Sequence, residues 1–473
     1  MRLTIIYPAV GHRLGENYVG TWQLEPLAPA IIAGLTPQEI EIEFYDDRTE
    51  KIPYDRPTDL VVITAIQTTS ARRAYQIASL YRQRQIPVVM GGFHVTLMPE
   101  EASDYAEAIV IGEAEGLWSN VIEDFQNGCL RRVYKRNSRP KLGGFQVDRS
   151  IFKGKPYLPL AFVEVGRGCH FKCDFCSIQT AFGNSQSRRP HGEALAELKK
   201  IKKPLIVFCD DNITSNLERA KAFFKELIPL KIRWVSQCSI NAAHDEEFLE
   251  LLKASGCQGL LIGFESIHPD NLKRMEKGFN LMNGGYEVAV KNLHRHGIRI
   301  YGMFLVGYDE DSAETIQAAM DFATKHKFYA IAFNHLTPFP GTALYDRMKA
   351  EGRLLFDRWW LDPNYRYGSI PFEPKKTPRE ELEQLAHAAR VKFFSLPSIL
   401  KRMNFGVNCT DGLMTLSFFA LNIFSHPGIR RRRNYPLGDE AYNGELIKAV
   451  HSQPFGLDPI EALEWTTACD RAS

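Results

Sequence analysis

Three cysteines crowd into eight residues of the run GRGCHFKCDFC: Cys169, Cys173 and Cys176, separated by three and then two residues. On a loop, thiolates this close can converge on one inorganic centre. Zinc usually takes four protein ligands, often from a second paired motif, and no nearby cysteine pair supplies them. His170 adjoins Cys169, but a neighbouring residue rarely folds back onto the same ion. Three thiolates on a four-iron cluster leave one iron open, and an open iron can bind a substrate-like ligand. The competing reading is three buried or zinc-binding cysteines.

Such a loop needs a scaffold, and the flanking pattern describes one. AFVEVGRG (161–168) opens an α/β unit just before the cysteines. Further strand-like runs follow at 205–212, 232–239, 259–266, 298–308 and 329–339, with helical runs between them. About six βα units in this length suit a parallel barrel that is incomplete relative to the eight-unit form, with catalytic groups on the loops after the strands. Ahead of it, LTIIYPAV (3–10), EIEIEFYDD (39–47), DLVVITAI (59–66), IPVVMGG (86–92) and AEAIVIGEAE (106–115) read as strands. They alternate with helical stretches at 24–35 and 70–85, the latter with Ser70 as N-cap. That order predicts a doubly wound parallel sheet, which takes ligands beyond the carboxyl ends of its strands. The domains expected are a doubly wound unit at 1–135, a linker at 136–157 and a partial barrel at 158–350. A small, mainly helical region follows at 351–473.

The 473 residues are 44% hydrophobic and 24% charged, as in a folded protein with a substantial core. With 58 Lys and Arg against 56 Asp and Glu, no global charge draws the chain to nucleic acid. The start lacks a secretory pattern and no run is long enough to span a bilayer, so a cytoplasmic location is the expectation. Nine cysteines, an odd number spread widely, argue against a disulfide framework. Cys209, Cys238 and Cys257 lie in or beside apolar runs and read as buried. Cys409 and Cys469 are isolated and cannot build a second cluster.

The spacing of Cys169, Cys173 and Cys176, with Phe175 before the last of them and the loop after the first barrel strand, resembles the radical S-adenosylmethionine (SAM) enzymes. The resemblance implies that the three thiolates hold a 4Fe-4S cluster whose open iron chelates SAM. Reductive cleavage of SAM then frees a 5′-deoxyadenosyl radical that attacks an unactivated C–H bond. It also implies an external electron donor such as flavodoxin or ferredoxin. Asp210 and Asp211, closing the second barrel strand, would accept from the amino end of SAM, unless Asn212 and Thr214 merely cap a helix. Ser236 and Gln237 would meet its ribose or carboxylate, and Glu265 another polar part of SAM, since a carboxylate in a barrel mouth is costly unless it binds something. Gly307 would admit the adenine. The segment Pro338–Thr342 would shape the rim or form a rigid turn.

A doubly wound sheet ahead of this core resembles the cobalamin-binding radical SAM enzymes. The carrying residues are Gly91-Gly92-Phe93-His94-Val95-Thr96, Pro99-Glu100-Glu101-Ala102, Ile111-Gly112-Glu113-Ala114-Glu115 and the early Glu25-Pro26-Leu27. Gly91 and Gly92 would let backbone lie against the flat macrocycle. Thr64, Thr68, Thr69 and Ser70 would offer hydroxyls, and Glu113 a further contact. Where the family's Asp-x-His-x-x-Gly motif would place a histidine beneath cobalt, this chain has Asp46-Asp47-Arg48-Thr49-Glu50 and no histidine. His94 would face the corrin or be a satisfied loop histidine.

Towards the end, Trp359, Trp360, Tyr365 and Tyr367 would line a hydrophobic pocket or pack the C-terminal region on the barrel. LMTLSFFALNIF (413–424), followed by Arg430 to Arg433, reads as a core helix with a solvated basic loop. The alternative is a peripheral contact with an anionic membrane. The resemblance implies C-methylation of a small-molecule or lipid substrate, with cyclisation or other radical chemistry as the alternative. An RNA-methylthiolating enzyme would need a second cysteine trio in the first domain, which has only Cys129. A non-enzymatic iron–sulfur binding module is the remaining class.

Overall fold

In the computed structural model, residues 1–16, 18, 23–431, 434–452 and 454–458 are described. Two six-stranded sheets organise them, each parallel throughout. The first is built from β1 (Arg2–Tyr7), β2 (Glu41–Asp46), β3 (Leu60–Ile63), β4 (Val88–Gly91), β5 (Ala108–Val110) and β6 (Val133–Tyr134). Its order is β2-β1-β3-β4-β5-β6, so the chain reverses direction of winding between β1 and β3. That is the switch point at which open sheets of this type take ligands. β3 is buried along its whole length, which explains its uninterrupted apolar run. Helices Leu27–Leu35 and Trp118–Gln126 cover one face, while Ala71–Arg82 packs against β3 and β4 on the other. The short β6 lies in a stretch that periodicity alone does not resolve into a strand.

The second sheet contains β7 (Leu160–Val163), β8 (Leu205–Phe208), β9 (Trp234–Cys238), β10 (Cys257–Glu265), β11 (Arg299–Val306) and β12 (Ala330–His335). They lie in sequential order and stay open, the partial barrel anticipated. One boundary needs correction. The 161–168 run is not a single strand: it ends at Val163, and Gly166–Gly168 forms a separate hairpin with Gln186–Arg188. Gly168 permits this with φ +95°, in the left-handed region that favours glycine.

Residues 136–157 are tied down rather than loose. Asp148 N–H donates to Ala30 O at 2.9 Å, and Arg149 reaches Glu197 at 2.7 Å. Beyond the barrel come helices Arg379–Phe393, Leu396–Arg402 and Gly412–Arg431. The chain then returns to the first sheet: Gly438–Asp439 pairs with Gly11–His12, and Ile447 N–H donates to Ser79 on helix Ala71–Arg82. The aromatics Trp359, Trp360 and Tyr365 are buried in the core of the first sheet, not stacked on the barrel alone. Trp359 Nε1 does reach the barrel rim at Pro338 O (3.0 Å), so the pair bridges the two units.

Candidate active site

The cysteines sit on the loop after β7, where the barrel opens. Cys176 N–H donates to Cys173 O (3.1 Å), a turn that draws the last two thiols to one side. Cys176 stands at the N-cap position of helix Ser177–Phe182, where the backbone N–H groups of Ile178 and Gln179 act to lower its pKa. Those contacts favour the thiolate. Burial nonetheless pushes Cys173 up to about 12 and raises Cys176, with the neighbouring thiols adding to both. Cys169 acts on both Cys173 and Cys176, so the three sulfurs share one region, and a multivalent metal centre reverses the burial penalty by taking them as thiolates. Among the described residues no three Cys, His, Asp or Glu are close enough for a single metal ion. Three cysteines on one loop suit a cluster of four irons that keeps one iron open.

Several side chains brace this loop, and sequence reasoning missed most of them. Asp174, between two of the cysteines, accepts from Tyr308 OH and from Arg347 Nη1 (2.8 Å). Its backbone carbonyl accepts from Leu344 N–H (2.9 Å). Phe171 stacks on Phe279 at 4.4 Å between centroids. Asn212 Nδ2 approaches Cys169 Sγ at 3.5 Å and donates to Ser239 at 2.7 Å. The neighbouring helix Leu217–Leu227 is capped by Asn216, not by Asn212 or Thr214. Asn212 Oδ1 accepts from Thr214 within its own turn.

The residues singled out around the mouth divide by what already occupies them. Asp210 Oδ1 accepts from Val165 N–H at 2.8 Å, while Oδ2 lies 3.6 Å from Arg188 with no full hydrogen bond among the described residues. Burial raises its carboxyl to about 7. Asp211 accepts from Gly168 N–H (2.7 Å), and burial raises it to about 6. Both carboxylates therefore hold the cysteine loop to β8. Ser236 is fully buried and its hydroxyl is spent on Phe208 O (2.9 Å). Gln237 is exposed at the mouth and donates to Asp211 O (3.1 Å).

Glu265 ends β10 with φ +61°, a strained conformation for a non-glycine residue that costs on the order of 1–3 kcal/mol. The bend turns its carboxylate onto Lys277 Nζ at 2.7 Å. Lys277 is half-buried; despite the desolvation this brings, Glu265 and then the Cys173 sulfur hold its ammonium above the ordinary range. A cation beside the thiols was not legible in the sequence, because Lys277 lies a hundred residues further along. Gly307 has φ +121°. A Cβ there would come within 3.5 Å of Leu336, Phe372 and Ile370, so the glycine admits apolar side chains.

At the first sheet the anticipated contacts are largely consumed internally. Ser70 stands at the N-cap position of helix Ala71–Arg82 but does not cap it; its hydroxyl bonds Gln67 N–H and O. Gly92, at φ +130°, lets two strand-end loops touch: a Cβ would lie 2.2 Å from Ile66 N. Gly91 has only ordinary neighbours, and Thr64 is buried. His94 lies in helix Phe93–Leu97, fully buried, bonded to Tyr75 and Glu101 at 3.1 Å each. Glu101 also accepts from Trp360 Nε1 (2.9 Å). The segment without a histidine is an ion-pair knot: Asp46 holds Arg48 and Tyr157, and Asp47 holds Arg73 and His12. No side chain there is free to reach a metal. Open backbone in the 111–116 stretch is found at Gly112, where a Cβ would meet nothing.

The two mouths share a wall. Phe93 meets Phe182 edge-on at 5.4 Å, joining the helix after β4 to the helix after the last cysteine. Glu113 is gripped by Arg139 (2.8 and 2.9 Å) and reached by Arg167 (3.2 Å). Arg167, two residues before Cys169, also binds Glu115 (2.9 Å) and Glu164 (2.6 Å). Glu113 thus joins the two units instead of presenting a free carboxylate.

Cys129 is disulfide-bonded, which the reading against a disulfide framework did not foresee. Cys238, Cys257 and Cys409 are buried free thiols, and Cys209 is a free thiol partly exposed.

Comparison with known proteins agrees with this geometry. Residues 163–323 match the radical SAM superfamily, and residues 24–122 match the B12 binding domain. Bacteriochlorophyllide d C-12(1)-methyltransferase of Chlorobaculum tepidum is 34% identical, over 80% of this chain and 84% of that protein. Hopanoid C-2 methylase of Rhodopseudomonas palustris is 22% identical, over 81% and 74% respectively. In fold, the chain is similar to the radical SAM methyltransferase TsrM of Kitasatospora setae, with TM-score 0.61 and 18% identity over 91% of this chain and 99% of that one. Its cofactors are a 4Fe-4S cluster, SAM and cobalamin. The chain belongs to the cobalamin-binding branch of the radical SAM superfamily and is a radical SAM enzyme.

Proposed function

We propose that the protein transfers a methyl group to an unactivated carbon of a hydrophobic small molecule, a tetrapyrrole before a lipid. The observation that carries this is the shared wall, which sets the B12-type mouth against the cysteine loop through Phe93–Phe182 and Glu113–Arg139–Arg167. Two cofactors that must act on one substrate need adjoining mouths. The 34% identical relative is named for methylating a bacteriochlorophyllide, and so is a second, 29% identical over 70% of this chain.

When bound, the cluster and SAM supply hydrogen abstraction and cobalamin supplies the methyl group. This chain's own residues hold and orient those groups. Cys169, Cys173 and Cys176 ligate the cluster. Asn212 steadies Cys169, and Asp174 with Tyr308 and Arg347 fixes the loop. Lys277 and Glu265 face the region where SAM's amino and carboxylate groups would lie, and Gln237 offers an exposed amide at the rim. Asp210 and Asp211 act through the loop backbone. Residues 1–135 bear the corrin and 158–350 the radical chemistry, with 136–157 as a strap between them and Trp359 and Trp360 of the C-terminal region 351–473 bridging the two. Electrons come from a donor such as flavodoxin or ferredoxin in the cytoplasm, and the protein touches the membrane only peripherally. Among the described residues no helix is long and apolar enough to cross one.

The test is anaerobic turnover of reconstituted enzyme with SAM, reductant, cobalamin and a panel of chlorins and hopanoids. Formation of S-adenosylhomocysteine together with 5′-deoxyadenosine, and a product heavier by one methyl, is the expected result. 5′-Deoxyadenosine alone, with a substrate that loses hydrogen and gains no methyl, would replace methyl transfer by cyclase-type chemistry.

A further inference from the structure

Helix Gly412–Arg431 is apolar on its outer face as well as its inner one. Its inner face carries Phe418 and the polar Asn422, both fully buried. Asn422 Nδ2 donates to Tyr329 O (3.1 Å), and its Oδ1 accepts from the buried Arg402 (2.9 Å). Arg402 in turn lies 3.6 Å over the Phe393 ring and donates to Phe328 O and Phe393 O. The outer face is apolar: Leu413, Leu416 and Ile423 are 54%, 67% and 49% exposed. These three fall within a narrow arc at helical spacing, with Ala420 between them. The preceding helix repeats the arrangement, burying Ile399 and exposing Leu396 and Leu400 at 58% and 52%. Phe405, in the turn between the helices, is 74% exposed. A surface helix in water turns its polar residues outward; this pair exposes apolar residues as well as burying Ile399, Phe418 and Ile429, and the core-helix reading of 413–424 is corrected accordingly. Clustered exposed apolar groups of this kind mark an interaction face.

Charge selects the occupant. Between Glu383 and Asp439 the chain carries eight arginines and lysines against a single carboxylate, Asp411. Asp411 is itself engaged, accepting from Met414 N–H at 2.9 Å. Lys392 and Lys401 are exposed, and the sequence continues into Arg430–Arg433, whose side chains lie outside the described residues. An apolar face within a segment almost free of acids complements an anionic bilayer, because leucines enter the acyl boundary while basic residues meet the headgroups. A second copy of the chain would bring the same positive charge against itself.

We propose that the outer face of helices Leu396–Arg402 and Gly412–Arg431 docks on an anionic lipid surface. This locates the peripheral membrane contact read above and rests on that reading, not on the chemistry at the cluster. Flotation of the full-length holoenzyme with phosphatidylglycerol-rich vesicles, against phosphatidylcholine vesicles, tests it. Binding should favour the anionic vesicles and weaken as salt is raised. The double variant Leu413→Glu, Leu416→Glu should bind at least roughly tenfold more weakly. Its melting temperature and its cleavage of SAM should be unchanged, since neither residue approaches the cysteine loop. Flotation of the variant equal to that of the wild type would overturn this face while leaving membrane contact standing. No flotation of the wild type would overturn both. A wild-type dimer in light scattering that the variant abolishes, without flotation, would assign the face to a second copy instead.

Discussion

The barrel mouth and the mouth of the first sheet are built on opposite plans. At the barrel, functional groups are held in tension: thiols pushed toward the neutral form by burial, an Asp210 oxygen without a full partner, and a Glu265 bent into left-handed backbone. Such unsatisfied groups persist where a ligand completes them. At the first sheet most of the polar side chains are already engaged with one another, although the buried His94 Nδ1 and Tyr54 Oη have no hydrogen-bond partner among the described residues. Ser70 closes a turn, Gly92 admits Ile66, Glu113 binds two arginines and Asp47 binds Arg73. A small charged cofactor needs particular side chains; a broad flat one is held by shape and backbone, which leaves side chains free for structural work.

The sharpest way to break this contrast is Cys173→Ala. Anaerobically reconstituted variant should hold only trace iron and sulfide and release no 5′-deoxyadenosine. Turnover in that variant would refute the ligand assignment. Lys277→Met should follow in size, because it strands Glu265 as a buried unpaired carboxylate. A stability loss of about 3–5 kcal/mol in denaturant unfolding is expected, together with weaker SAM binding by calorimetry. If SAM affinity is unchanged, the pair is structural and the barrel mouth loses one of its ligand groups.

Asp210 makes a prediction about pH. Its folded carboxyl titrates near about 7 against an ordinary 3.8, so between those values the native state keeps a proton that the unfolded state releases. Stability therefore falls as pH rises through that window, by on the order of 4 kcal/mol from this group. Asp210→Asn should remove that share of the slope in melting experiments across the same range; an unaltered slope would show that burial does not hold the proton there.

Gly92→Ala should cost about 2 kcal/mol or more, since it adds a Cβ at φ +130° against the Ile66 backbone. Smallest is Glu113→Gln, expected to lose about 1–2 kcal/mol by weakening its arginine pairs while cobalamin affinity, read from absorbance titration, stays within twofold. A large drop in cobalamin affinity there would erase the contrast between the two mouths.

The sequence alone carried the centre of this protein. The cysteine spacing names its chemistry because ligands contributed by one short loop must be neighbours in the chain. Continuous apolar runs such as 59–66 announced buried parallel strands, and the order of strands and helices announced two α/β units. Other features depend on residues far apart in sequence. Lys277 beside Cys173, Arg347 on Asp174, Trp360 on Glu101 and the grip of Arg167 on the first sheet come together only when barrel and sheet have folded and docked. Periodicity shows which face of an element is apolar but not what that face meets. For that reason the polarity of helix Gly412–Arg431, and the use already made of Ser70, Ser236 and Glu113, were decided by tertiary packing.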